Sequence, residues 1–123
     1  MSPAQKVIDE SRPMLVEVLR EIGLHKSDQQ LDLQALLEPF SHWIELQDVR
    51  PQDTAFFVGM IGAFICEFLI EYHSATRLVR DGRILLQLPI QEGIWQEFDP
   101  YTVAVSLAQR RGSVALFIRE LTS

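Results

Sequence analysis

Residues 54–73 read TAFFVGMIGAFICEFLIEYH, the most apolar stretch of the chain. It is either a membrane span or the spine of a core. The uncharged part runs only from Ala55 to Cys66, twelve residues, whereas a span needs about 20. Reaching that length would carry Glu67 and Glu71 into hydrocarbon, where an aspartate costs about 2.5–3.5 kcal/mol at mid-membrane. No basic cluster flanks the run to set an orientation. The stretch therefore predicts a buried helix of about 20 residues and about 30 Å, opened by Pro51 and Asp53. Each of Gly59 and Gly62 weakens a helix interior by about 1 kcal/mol relative to alanine. Close approach of a neighbouring element would offset that. Glu67 shares a face with Ala63, Phe64, Ile70 and Glu71. A carboxylate there must be paired or sit at the rim of the core.

The segment that follows, TRLVRDGRILLQLP (76–89), supplies partners. Asp81-Gly82 between two β-rich runs predicts a two-residue hairpin turn. That turn sets Arg80 opposite Arg83, Val79 opposite Ile84, Leu78 opposite Leu85 and Arg77 opposite Leu86. Val79, Ile84, Leu86 and Leu88 then form the core face. Thr76, Leu78, Arg80, Arg83, Leu85 and Gln87 form the other. Arg77, Arg80 and Arg83 are the candidate partners of Glu67, as a structural ion pair or as a polar pocket for a ligand. Residues 90–98 read as a loop or a short third strand. Asp99-Pro100 opens a helix to about residue 111, and Ser113 caps a last one carrying Val114, Phe117, Ile118 and Leu121 at helical spacing.

Upstream, Ser2-Pro3 starts a helix. Pro13 lacks the N–H that would bond back to residue 9. The segment is thus either one kinked helix or two pieces, with Ser11 capping the second. Gly23 sits where a C-terminal cap belongs. Ser27 and Gln30 have capping-box spacing and predict a helix over 28–38, with Leu31, Leu33, Ala35 and Leu36 as its candidate inward residues and Pro39 interrupting it. Residues 41–49 fit helix, strand or loop.

At 123 residues with 47% hydrophobic and 23% charged residues, the composition is ordinary for a globular chain. One domain is expected over 1–123, with an N-terminal helical part (1–50) and a second part (51–123) of central helix, hairpin and C-terminal helices. The fold class is α+β, mostly helical, with a small antiparallel hairpin or three-stranded sheet that helices must cover. The lone cysteine, Cys66, forms no internal disulfide, and the N-terminal residues lack a secretory pattern. A cytoplasmic location is expected.

The net charge is −6, concentrated in residues 28–71, which hold eight acids and one base. An acidic middle repels nucleic acid and favours a basic partner. Asp28, Asp32, Glu38, Glu45 and Asp48 are the candidate partner-binding residues, with Trp43 as an anchor; Trp95 would serve likewise if exposed. His25, His42 and His73 have no metal-motif spacing. Neither a phosphate-cradling glycine loop nor a nucleophile elbow occurs. No catalytic residue, metal or cofactor is expected.

GAFICEFL (62–69), RDGRILLQLP (80–89) and DPYTVAVSLAQRRG (99–112) in succession resemble small bacterial α+β domains of unknown function. The shared features are a Gly-x-x-x-x-Glu helix, a hairpin and a helix opened by proline. In the first strand, Leu78 and Val79 stand where those domains usually carry an aromatic. Some similar acidic proteins are immunity partners of toxins. The resemblance and the charge together imply a non-enzymatic protein that binds a basic partner as an immunity-type or adaptor protein. The alternative is a small-ligand pocket, or a minor enzyme, built around Glu67 and the hairpin arginines. Self-association is a third reading.

Overall fold

The computed structural model describes residues 3–26, 30–110 and 112–123. Among these residues, five helices pack with a three-stranded sheet and cover one of its faces. They are α1 (Pro3–Glu21), α2 (Leu33–Glu45), α3 (Thr54–His73), α4 (Pro100–Arg110) and α5 (Val114–Thr122), with a single 3-10 turn, Pro51–Asp53, leading into α3. The strands are β1 (Thr76–Arg80), β2 (Arg83–Gln91) and β3 (Ile94–Phe98), antiparallel in the order β1-β2-β3. This is the expected α+β architecture, with its central helix and two C-terminal helices.

Helix α3 is the spine. Together with the preceding turn it is long and apolar enough to cross a membrane. Yet Met60 through Leu69 are buried without a break, so protein covers every face of that stretch. A helix that is apolar all round is expected in such a position. Phe64 stacks on Phe40 of α2 at 4.2 Å between ring centres, with the planes 10° apart. Phe68 follows Phe64 along the same helix, its ring centre 6.1 Å away. Burying one such side chain contributes about 1.5–3 kcal/mol. On another face, a Cβ at Gly62 would stand 2.4 Å from a ring carbon of Tyr101. Only glycine lets α4 lie this close to α3. At Gly59 an added Cβ would meet nothing within 4 Å, so the expected close neighbour is present at one glycine and missing at the other.

Two of the six prolines sit inside continuous helices: Pro13 in α1 and Pro39 in α2. Each lacks the N–H that would reach the carbonyl four residues back. Those carbonyls belong to Asp9 and Ala35, both exposed residues that water can serve. Leu37, Phe40 and Ile44 hold α2 together across its proline by facing the core. Residues 41–45, ambiguous in sequence, are thus the end of α2. This helix begins later than its capping-box spacing predicts. Asp32 is the cap, accepting from the Ala35 N–H at 3.1 Å. Of the candidate inward residues Leu33 is buried, Leu31 and Leu36 are half-buried, and Ala35 is exposed. Ser27 lies outside the described residues.

The hairpin has the predicted register, Arg80 opposite Arg83 through Arg77 opposite Leu86. Asp81 and Gly82 both have positive φ, 53° and 77°, as a tight hairpin turn of the favoured twist requires. Ile84, Leu86 and Leu88 face the helices. Val79 has the same orientation but is exposed, because it lies near the tip of an edge strand beyond the helical cover. Residues 90–98 form the far end of β2, a tight turn with Gly93 at φ 75°, and β3. Asp99 caps α4 through its Oδ1, which accepts from the Tyr101 and Thr102 N–H groups. Ser113 caps α5, accepting from the Leu116 N–H at 3.0 Å.

Candidate functional site

Glu67 occupies a position that elementary electrostatics makes costly. It stands in the middle of the apolar spine and is 5% exposed. An unpaired carboxylate in such a place would be strongly disfavoured. Two guanidinium groups approach it from different elements: Arg77 of β1 at 3.7 Å and Arg12 of α1 at 3.5 Å. Arg12 also reaches Glu71, one turn further along α3, at 3.5 Å. The outcome is a two-acid, two-base network tying α1 and β1 to α3. Arg77 reaches it because strand alternation turns it to the core face, beside Leu86. Arg12 reaches it because α1 continues unbroken through Pro13. Its part was not visible in the sequence, where only the hairpin arginines stood near Glu67.

Alternation puts Arg80 and Arg83 on the opposite sheet face, away from Glu67. Arg80 forms an ion pair with Glu97 of β3. Arg83 meets Asp99 through two nitrogens, at 2.9 and 3.2 Å. These pairs relieve the repulsion expected between two arginines facing each other across a turn. The candidate pocket therefore divides, with Glu67 and Arg77 together and the other two arginines neutralised elsewhere. Burial works to raise the Asp99 carboxyl, but hydrogen bonds from Arg83 and from the Thr102 and Tyr101 backbone outweigh it and hold it below the usual value.

Cys66, next to Glu67, is fully buried. Burial pushes its thiol up to about 12, so it is a packing group and not a nucleophile at neutral pH. Burial also raises the Tyr101 phenol to about 12, with the neighbouring Cys66 adding to the effect. Among the described residues no group of His, Cys, Asp and Glu could hold a metal ion.

The candidate acids are spread over different tasks. Asp28 lies outside the described residues. Asp32 caps α2 and accepts from the Tyr72 hydroxyl at 3.3 Å. Glu38 forms an ion pair with Arg119 of α5. Glu45 is exposed, and it shares the outer stripe of α2 with Glu38 and His42. Asp48 is exposed just beyond that helix. Trp43 is half-buried against Phe57, ring centres 6.0 Å apart, and so belongs to the margin of the core.

The other tryptophan has the opposite fate. Trp95 is 57% exposed on the edge strand β3, beside Ile94 at 47%. Ile90, across the same hairpin, is 57% exposed. Alternation would direct Ile90 inward with Leu86 and Leu88, but the register shifts between Pro89 and Gln91. Such a bulge re-aims side chains. Three large apolar groups are thus exposed on one hairpin, with Ile94 and Trp95 on opposite faces of β3. The sequence named Trp95 as an anchor if exposed, but gave no sign of its company, which depends on the bulge.

No protein-family model matches the chain, and no curated protein or solved structure matches it either.

Proposed function

We propose that this is a non-enzymatic protein-binding module that anchors a protein partner on the β2–β3 hairpin. The observation that carries this reading is the exposure of three large apolar side chains on this hairpin, Ile90 at the end of β2 and Ile94 and Trp95 on the edge strand β3, each about half exposed. Large apolar side chains left exposed near one another are a feature of interaction sites, and tryptophan is among the residues most enriched at binding hot spots. The partner's matching surface is an apolar pocket with a basic rim, because Glu92 lies on the same hairpin and the chain carries −6 overall. The acids of α2 and its C-terminal extension, Glu38, Glu45 and Asp48, add long-range attraction that speeds encounter. An adaptor or immunity-type role fits a chain of this kind.

The test uses the whole chain as bait in lysate of its source cells, side by side with Trp95→Ala. A partner retained by the parent and lost from the variant is then purified and its affinity measured. Trp95→Ala is expected to weaken binding at least tenfold. The triple change Glu38→Gln, Glu45→Gln and Asp48→Asn is expected to slow association and flatten its salt dependence. Equal retention and equal affinity for parent and Trp95→Ala would overturn the proposal.

A further inference from the structure

The sheet has two open edges, and they are not alike. Among the described residues, no strand pairs with β1 or β3 on the side away from β2. An unpaired edge invites another strand, and folded proteins guard against this with charged side chains, above all inward-pointing ones. β1 has such guards: Arg80 on its outer face and Arg77 turned to the core face. β3, with the sequence IWQEF, turns no charge inward. Its one charged residue, Glu97, is held by Arg80, and residues 94–97 are all exposed.

Strand alternation settles which backbone groups of β3 face outward. Arg80 and Arg83 flank a two-residue turn, so that pair exchanges both backbone bonds. Leu85 and Gln87 bond to β1 in the same way, which turns the backbones of Leu86 and Leu88 toward β3. There they meet Phe98 and Gln96. The residues between, Trp95 and Glu97, therefore direct their N–H and C=O groups away from the sheet. Pro89 fits this phase. Its missing N–H falls on the β1 side, past Thr76, where β1 has not yet begun.

Two copies of β3 laid antiparallel about Gln96 satisfy these outward groups together. Trp95 of each copy stands opposite Glu97 of the other, and each such pair exchanges both backbone bonds. Ile94 stands opposite Phe98, and Gln96 opposite Gln96, in the kind of pair whose side chains lie closest. No acid faces an acid: each Glu97 meets an indole, with Arg80 beside it. Ile94 and Trp95 lie on opposite faces of β3, and an added strand covers both at once, which a surface applied to one face does not.

We propose that a second copy of this chain pairs with β3 in this register, joining two three-stranded sheets across a two-fold axis, and that the dimer keeps the hairpin covered until a partner takes it. The regulatory half of this statement rests on the hairpin being the partner's site; the dimer itself does not. A five-residue strand is short for a stable dimer, whose interfaces bury about 1,200–2,000 Å², so the association is weak and reversible.

Sedimentation equilibrium of the whole chain reads the dimer directly, over about 10 μM to 1 mM, the range of weak binding. The parent is expected to dimerise within it. Gln96→Lys and Gln96→Glu each bring two like charges together at the centre of the interface, and each should weaken the dimer by about tenfold or more. An equimolar mixture of the two variants should dimerise at least as well as the parent, because opposite charges then face each other. That rescue also shows both variants to be folded. A parent that stays monomeric throughout, single variants that dimerise like the parent, or a mixture no better than either variant alone would each overturn the proposal. A monomeric parent whose retained partner is lost on Gln96→Lys would give the edge to a strand of that partner instead. No partner enters the sedimentation test, so its failure leaves the hairpin reading standing, and failure of the retention test leaves the dimer standing.

Discussion

The two faces of the sheet hold the same chemistry in different surroundings. On the inner face, Arg77 meets Glu67, a carboxylate almost without water. On the outer face, Arg80 meets Glu97 and Arg83 meets Asp99, with the arginines more than half exposed. Inside, removing one partner leaves a charge that water cannot reach. Outside, water replaces the lost partner at once. The difference teaches that position on the strand, not residue type, decides what an Arg–carboxylate pair contributes here.

The strongest way to break this contrast is Arg77→Met. Removing one side of a fully buried pair costs about 3–5 kcal/mol. Because Arg12 still reaches Glu67, we expect about 2–3 kcal/mol, read from urea unfolding. Adding Glu67→Met should recover most of the loss, since apolar replacement of a whole buried pair is often neutral or better. A loss no larger than that of Arg80→Gln would erase the difference between the faces.

Gly62→Ala comes next. The new methyl would overlap the Tyr101 ring, and overpacking of this kind costs about 1–3 kcal/mol. Its counterpart Gly59→Ala should instead stabilise the chain by up to about 1 kcal/mol. Opposite signs at two glycines three residues apart would show that one is needed for packing and the other is not.

Asp99→Ala should cost about 1 kcal/mol at neutral pH through loss of the α4 cap. Since the folded carboxyl sits below its usual value, its electrostatic contribution is complete above the unfolded value of about 3.9. It is lost as pH falls through the folded value. The gap between parent and variant should therefore narrow in acid, measured by unfolding at pH 7 and again below pH 3. Arg80→Gln, on the outer face, should change stability by no more than about 0.5 kcal/mol. Cys66 gives a reading without any substitution. In the native chain it should resist aromatic disulfide reagents, reacting only as fast as α3 opens, and faster in Arg77→Met.

Much of the architecture was legible because it depends on short-range rules. The Asp81-Gly82 turn sets its own register. Asp99, Ser113 and Gly23 end or begin helices by local hydrogen bonding or local φ. The prolines were harder to read for a related reason: Pro13 left one helix or two open, and Pro39 was expected to interrupt α2. Pro13 and Pro39 forbid one backbone bond each, and a local rule counts that as a break. It omits the burial of Leu15, Leu37 and Phe40, which keeps each helix continuous past its proline. The candidate sites were less legible. Arg12 is 55 residues from Glu67, and no spacing announces their meeting. Trp43 and Trp95 both stand in weakly periodic segments, so their opposite exposures had no signature.

By itself the sequence determined that residues 54–73 form an apolar helix, that a tight hairpin follows, and that Glu67 must be charge-compensated. Those conclusions need only periodicity, turn chemistry and the cost of moving a carboxylate out of water. Tertiary structure alone decided which arginines answer Glu67, which glycine is crowded, and which tryptophan faces outward. Each of these depends on where distant elements come to rest against the spine, and side chains far apart in sequence meet only once the core has closed around them.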